Sequence, residues 1–393
     1  MTGPMVLVTD GLWQKTLAVV RALGREGIAV AVAAETRCAA AFYSRHCQRK
    51  VLVPALREDP AGFVGALLRE AERGDCEMII PMEDDTVALL AEHRSSFPGH
   101  VEIPIPEGRS VALALDKWET LKICQQLAIP APLTHAIDDL AKLDEISRVA
   151  PYPVVIKPRR SSGARGIARA SGPAELKDRY LAVHRVYPFP LIQEQIPVEG
   201  APLAVELLLD RQSEPVAALV QRSFREYPPT GGSSTLRETI ADDGLLQHAL
   251  ALLKEIKWYG VAQVEFKRDP RDGRAKVMEI NPRFWNSVQL AIDAGVNFPA
   301  LLYRMATGKA YEPALEYPVG VRSRWLLPGD ILHFFASPDR WTAKPNFFAF
   351  FDRATHYEDF SLDDPGGMLG VWLSLGYGAC QRRMWRAVFK RQV

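Results

Sequence analysis

"GVAQVEFKRDPRDGRAKVMEINPRF" occupies residues 260–284. Two apolar runs flank DPRDG, a turn-forming string with Asp272-Gly273 near its centre, so the segment reads as a β-hairpin. Side chains alternate faces along a strand. Gln263 and Glu265 therefore share one face of the first strand, and Glu279 and Asn281 one face of the second. Folding about the turn brings Glu265 close to opposite Glu279. Facing carboxylates repel each other, more strongly near apolar walls where the effective dielectric is low. A positive partner belongs between them. A hard divalent cation fits, because Mg²⁺ takes oxygen ligands, usually one or two carboxylates plus substrate phosphates. Asn281 offers a neutral carbonyl oxygen, and Arg283 a cationic fork for phosphate or a developing oxyanion. The plain alternative is two solvated glutamates on an edge hairpin.

Further upstream, Lys157 closes the strand "YPVVIKP" and is followed by "RRSSGARG" at 159–166. That loop supplies Ser161, Ser162, Gly163 and Gly166. Its amides can approach phosphates closely because glycine has no Cβ, and the lysine adds a point charge. It is not a P-loop: GxxxxGK[ST] is absent and the lysine precedes the glycines. Lys117 lies earlier, in "LDKWET". Alone each lysine reads as a solvated surface residue; with the hairpin they form an ordered set.

At this point the sequence resembles the ATP-grasp superfamily, over about residues 5 to 310. The carriers are "ALDKWETLKICQQLAIPAPLT", "YPVVIKPRRSSGARGI", "LIQEQIPVEG" and the hairpin, in that order. The "YPPTGGSSTLRET" loop at 227–239 looks like the branch of predicted carboxylate–amine ligases. The resemblance implies ATP and one or two Mg²⁺ (or Mn²⁺) as cofactors. Lys117 and Lys157 would contact the phosphates, with Ser161, Ser162, Gly163 and Gly166 in a mobile loop closing over them. Glu194, Gln195 and Ile196 would form the adenine-reading hinge, and Glu199 is a candidate for the ribose. Glu265, Glu279 and Asn281 would hold the metal. Arg283 matches an arginine that steadies an acyl-phosphate or tetrahedral oxyanion, and with Lys157 it is the catalytic expectation. The sequence departs from D-alanine–D-alanine ligase-like relatives at Gln263, where many have arginine.

The implied fold is α/β and α+β. A doubly wound parallel sheet at 1–112 would precede a two-subdomain ATP-grasp fold. Residues 113–196 would be its small lid part, 197–325 the part with the metal site, and 326–393 an aromatic-rich extension. Apolar strands "MVLVTDG", "IAVAVAAE" and "CEMIIP" alternate with helices near 13–26 and 61–73, which suits that parallel sheet. The first turn, "TDGLWQKT", has one glycine where a dinucleotide fingerprint needs three, which counts against an NAD-dependent oxidoreductase even though Glu35 ends the second strand. The loops at Asp10–Trp13 and Pro81–Asp85 follow strand ends, where open sheets bind ligands. A helix is expected near 113–128, another near 243–257, and little regular structure across 227–239.

The implied activity joins a carboxylate to an amine through an acyl phosphate, with ADP and phosphate as products. A non-catalytic ATP-binding regulatory module on the same fold is the rival. The glycine-serine turn with Arg222, Arg225, Gly231, Gly232, Ser233, Ser234 and Arg237 is the candidate for holding amino-acid-like substrates, since arginine grips carboxylates in bidentate fashion. The chain has 393 residues and a net charge of +1, so no global field points to nucleic acid. Its five cysteines lack CxxC spacing, so no zinc site or disulfide framework is indicated, and a cytoplasmic location is expected. The end, "CQRRMWRAVFKRQV", sets Trp385, Val388 and Phe389 among Arg382, Arg383, Arg386, Lys390 and Arg391. That pattern suits peripheral contact with an anionic membrane, and equally a domain cap or a homodimer contact.

Overall fold

The first hundred residues alternate short strands, most of them apolar, with helices, and the chain winds both ways around them. The computed structural model describes residues 4–161, 163, 165–197, 199–229 and 231–380. The first elements are β1 (Met5–Val8), α1 (Gln14–Arg25), β2 (Ala29–Ala34), β3 (Cys47–Leu52), α2 (Pro60–Ala71), β4 (Cys76–Ile80) and α3 (Asp84–Glu92). The strands form a parallel sheet in the order β3-β2-β1-β4. Alternation divides the core. Val6, Val8, Val30, Val32 and Ile80 join Leu17, Val20 and Leu23 of α1. Met5, Leu7, Ala31, Ala33 and Ile79 join Phe63 and Leu67 of α2. Gly11 makes the first strand-to-helix turn possible: a Cβ there would lie 2.6 Å from Val32 Cγ1. Strand β3, whose residues alternate between buried and exposed at an edge, carries no continuous apolar run and is not evident in the sequence.

The helix expected near 113–128 is two helices, α4 (Gly108–Leu115) and α5 (Lys117–Gln126). Asp116 breaks them apart. Its backbone is extended, and its carboxylate accepts from the Trp118 and Glu119 amides, an N-cap that starts the second helix at Lys117. A small antiparallel sheet follows, from β5 (Thr134–His135), β6 (Val154–Lys157), β7 (Ala168–Ala170) and β8 (Leu191–Glu194), in the order β5-β8-β6-β7. Helices α6 (Leu143–Val149) and α7 (Pro173–His184) cover it, sharing a core of Leu143, Val154, Ile156, Leu176 and Tyr180.

The largest sheet contains β9 (Pro202–Leu209), β10 (Pro215–Tyr227), β11 (Ser233–Ile240), β12 (Gly260–Arg268), β13 (Ala275–Asn281), β14 (Arg322–Arg324) and β15 (Thr355–Tyr357), in the order β13-β12-β9-β10-β11-β14-β15. Its helices are α8 (Asp243–Glu255), α9 (Val288–Asp293), α10 (Phe298–Ala306), α11 (Ile331–Ala336) and α12 (Pro365–Cys380). One face packs on α8 through Val205, Leu207, Val264 and Leu252. Residues Phe284, Trp285, Leu290 and Phe298 join the α1 side of the first sheet, so one apolar core links the two.

The expectation of little regular structure across 227–239 is corrected here. Ser233–Ile240 is strand β11, paired antiparallel with β10. Propensity misleads because this strand buries polar side chains, Thr235, Arg237, Glu238 and Thr239. Each of them meets a partner far along the chain: Thr235 meets Asp330, Arg237 meets Glu358 through one nitrogen, Glu238 meets Arg322 and Thr239 meets the Pro318 carbonyl. Asp330 is the main anchor: fully buried, it takes Arg225 on both oxygens at 2.6 and 2.8 Å, Arg324 Nε at 2.7 Å and Thr235 Oγ1 at 3.0 Å. The extension is also tied to α1, by Arg21–Asp364 at 2.8 Å and Arg25–Asp363 at 2.8 Å.

No helix among the described residues is long and apolar enough to cross a membrane. Helix α12 lays Gly370 against Ala40 and turns Leu369, Trp372 and Leu373 outward. The basic segment from Arg382 to Arg391 lies outside the described residues.

Replacing Asp330 by alanine would strand two buried guanidinium groups. Breaking a buried pair this way costs about 3–5 kcal/mol. Urea unfolding of Asp330→Ala is expected to show a loss of that order; a midpoint within error of the parent would contradict the anchoring role.

Candidate active site

A cavity of about 840 Å³ opens between the small sheet and one face of β9–β13. Lys117, Lys157, Ser161, Gly163, Glu194, Gln195, Ile196, Glu265, Glu279, Asn281 and Arg283 all line it. They come from four stretches of the chain, 117, 157–163, 194–196 and 265–283.

The two lysines reach the cavity by different routes. Lys117 begins α5, and its Nζ donates to the Ser161 carbonyl at 2.7 Å and pairs with Glu279 at 2.8 Å. Lys157 ends β6 and is buried. Burial, and then the neighbouring Lys117 charge, lower its pKa to about 8. Arg159 fastens the start of the glycine loop to Asp116, at 2.8 and 3.1 Å. Gly163 and Gly166 both adopt positive φ, +64° and +72°. A Cβ on Gly166 would also lie 2.4 Å from the Tyr187 ring, so that position requires glycine twice over. Ser162 lies outside the described residues.

On the hairpin, Glu265 sits opposite Glu279 and Gln263 opposite Asn281. Burial, and then the Glu279 charge, push the Glu265 pKa up to about 7. Asn281 Nδ2 donates to Glu265 at 2.7 Å and to Gln263 Oε1 at 3.1 Å. Lys117 and this amide are thus the positive partners of the two carboxylates. The donor set fits a hard divalent cation: two carboxylates and an amide oxygen, all at one cavity wall. Among the described residues there is no cluster of three or more His, Cys, Asp or Glu suited to a metal. A cation here would therefore take further oxygens from a bound phosphate or water, as Mg²⁺ commonly does.

Arg283 is held on three sides. Nη2 donates to Asn281 Oδ1 at 3.1 Å, Nη1 donates to the Phe284 carbonyl at 3.1 Å, and Nε lies 2.9 Å from Asp84 Oδ1. Asp84 belongs to the Pro81–Asp85 loop of the first sheet. In the same region Lys15 pairs with Glu83 at 2.7 Å and donates to the Phe284 carbonyl at 3.3 Å. Asp10 accepts from Thr86 at 3.1 Å, and burial followed by the Glu83 charge raises its pKa to about 6. Both strand-end loops singled out in the sequence thus abut the Arg283 end. Asp84 falls inside the stretch already marked in the sequence, whereas Lys15 lies two residues past Trp13 and carries no motif of its own; its position after a parallel strand is the signal that could have marked it.

At the opposite end the Glu194 carboxylate is engaged by Lys276 at 2.9 Å, Arg271 at 2.6 Å and the Leu133 amide at 3.0 Å. It is not left to read a base, so that task would fall to the backbone of residues 194–196. Glu199 is exposed and does not line the cavity. Glu226 and Lys267 line it instead, and burial pushes the Glu226 pKa up to about 7.

The arginine expectations divide. Arg222 is exposed, pairs with Glu238 at 2.6 Å and stacks on Phe224. Arg225 is consumed by Asp330. Neither lines the cavity: Arg222 alternates with the cavity-lining Gln221 and Ser223, and Arg225 sits between two register shifts of the β10–β11 ladder, which break the alternation there. Arg237 does line it, together with Gly231, Gly232, Ser233 and Ser234. Behind this wall Glu206 is fully buried and accepts from Gln221, from Gln263 at 3.1 Å and from Ser287 at 3.1 Å. Burial raises its pKa to about 8. A single glutamate inside "PLAVELLLD" is the trace it leaves in the sequence.

Residues 198–326 match a family model described as "ATP-grasp in the biosynthetic pathway with Ter operon". A D-alanine–D-alanine ligase from Marinobacter nauticus is 26% identical over 231 residues, covering 55% of this chain and 68% of that protein. A D-aspartate ligase from Enterococcus faecium is 21% identical, covering 59% and 60%. The match to curated relatives falls as low as 37% of the relative's length. Among solved structures, biotin carboxylase from Campylobacter jejuni, in a complex named for β,γ-ATP, superposes with a TM-score of 0.68 at 14% identity, covering 81% of this chain and 74% of that one. The architecture is that of the ATP-grasp fold.

Glu265, Glu226 and Glu206 all have folded pKa values raised above those of an unfolded chain. Between about pH 4.5 and 8 the folded state then binds more protons, and stability falls as pH rises through that window. In chelator, the thermal midpoint is expected to be lower near about pH 8 than near about pH 5. Glu265→Gln should remove part of that slope and raise the alkaline midpoint by about 1–3 °C. An unchanged slope would show that Glu265 is not held against Glu279.

Proposed function

We propose that this chain, a member of the ATP-grasp superfamily, is an ATP-dependent ligase that activates a carboxylate as an acyl phosphate and joins it to an amine. The observation that carries this reading is the convergence of Lys117, Lys157, Glu265, Glu279, Asn281 and Arg283 on one cavity. A module that only bound nucleotide would have no need of paired carboxylates beside a three-way-held arginine.

A carboxylate is a poor electrophile at neutral pH. In the first step one of its oxygens attacks the γ-phosphorus of ATP, the bond to the β–γ bridging oxygen breaks, and ADP leaves. Such a transfer needs alignment and charge neutralisation more than covalent help from the protein. Lys157 supplies charge at the end of a rigid strand. Lys117 does so from a helix start and can exchange its Glu279 partner for phosphate. Glu265, Glu279 and Asn281 would hold Mg²⁺, which would supply positive charge to neutralise the phosphates. In the second step the amine nitrogen attacks the acyl carbon, the C–O bond to phosphate breaks, and the departing phosphate takes the amine proton. Arg283, held by Asp84 and Asn281, would stabilise the oxyanion of that step. Acyl phosphates hydrolyse, so a walled site is part of the chemistry. The relatives that join amino acids by name support an amino-acid-like pair of substrates.

ATP-dependent hydroxamate formation tests this reading, using pooled carboxylic acids, hydroxylamine and Mg²⁺. A hydroxamate with ADP is expected. AMP in place of ADP would overturn the acyl-phosphate route, and nucleotide binding with no turnover on any acid would favour the binding-module rival. Arg283→Lys should lower turnover by about 10²–10³-fold with nucleotide affinity preserved. ATP affinity should weaken as pH rises past about 8, where free Lys157 loses its proton; a flat profile in Lys157→Met would tie that slope to this residue.

A further inference from the structure

Four buried side-chain atoms on or behind the β9–β11 wall have no hydrogen-bond partner among the described residues. They are Glu206 Oε2, Gln221 Oε1, Ser234 Oγ and Arg237 Nε. Buried polar atoms are nearly always paired, and leaving one unpaired costs about 1–3 kcal/mol. A cluster of them at a cavity wall is unmet binding capacity. Gln221, Ser234 and Arg237 line the cavity directly, and Arg237 is only 1% exposed.

The remaining atoms of these groups are fixed. Glu206 Oε1 takes the Gln221 amide and the Ser287 hydroxyl, so the Gln221 carbonyl is the end left over. Arg237 Nη2 is held by Glu358, which also accepts from Ser323 at 2.7 Å. Glu358 comes from the C-terminal extension, and Ala336 of the extension lines the same cavity. The extension therefore builds one end of the site. It orients the guanidinium and offsets its charge, while Nε remains free.

We propose that this wall is the subsite for the amine substrate, and that the substrate is an α-amino acid. Arg237 Nε and Ser234 Oγ take its carboxylate, and the Gln221 carbonyl takes its amine. The inference rests on the ligase reading above. The wall offers a cationic donor at one end and a neutral acceptor at the other, so it fits a molecule with the opposite pair. Strand order places these ends usefully. Gln221 on β10 is nearer the metal-binding hairpin than Arg237 on β11. The amine would thus point towards the phosphate end and the carboxylate away from it.

The test is equilibrium binding to the full chain, read by thermal shift, with Mg²⁺ and a non-hydrolysable ATP analogue present. The probes are the proteinogenic amino acids, D-alanine and the carboxamide of each. At least one amino acid is expected to stabilise the nucleotide-loaded protein, and its carboxamide to bind about 10- to 100-fold more weakly. The double variant Arg237→Met/Glu358→Gln leaves no buried charge unpaired. It should lose that acid-over-amide preference while holding the nucleotide analogue as tightly as the parent. Ser234→Ala, which removes only a hydroxyl, should lose part of it. The proposal is overturned if no amino acid stabilises the loaded parent, or if the double variant keeps the preference. A parent that fails to bind the nucleotide analogue would instead sink the ligase reading, and the subsite with it.

Discussion

The register of one hairpin governs this molecule. Setting Glu265 opposite Glu279 places two negative charges at a buried wall, and the surrounding structure answers that repulsion. The break between α4 and α5 at Asp116 makes Lys117 the first residue of a helix, from where it reaches Glu279. Asn281 turns its amide nitrogen to Glu265. Asp84 crosses from the first sheet to balance Arg283. A one-residue slip in this hairpin would send Glu279 and Asn281 to the opposite face, among the apolar side chains packed on α8.

The site is accordingly a meeting of three sheets. The doubly wound sheet contributes loops at its strand ends, the small sheet contributes a lysine and a glycine loop, and the large sheet contributes the floor. Each supplies charge of a sign that the others need. The first and third are also joined by a shared apolar core containing α1, Trp285 and Phe298. Small displacements of the Arg283 end are resisted by packing as well as by ion pairs.

The C-terminal extension has a structural reason for its composition. Four of its acids, Asp330, Glu358, Asp359 and Asp364, are buried, and each meets a partner earlier in the chain: Arg225, Arg237, Gln14 and Arg21. Such pairs contribute little net stability against well-packed apolar residues, and they are destabilising to break. Their effect is to fix where the extension sits, and so the shape of the cavity end that Ala336 and Arg237 line.

The sequence alone determined the elements whose signal is local. The apolar strands of the first sheet, the hairpin with its register, the lysine at the end of β6 and the glycines after it were all legible, because periodicity and turn chemistry act over a few residues. It could not show that β11 is a strand, since a polar segment becomes one only when Asp330 and Glu358 arrive to satisfy it. Nor could it separate Arg237 from Arg222 and Arg225. The three lie within sixteen residues, counted inclusively, with the same side chain, and only their faces and distant partners distinguish them. Glu206 and Lys15 likewise have no local mark. What a charged residue does depends on which groups the fold brings within a few ångströms of it, and that is decided by contacts between residues hundreds of positions apart.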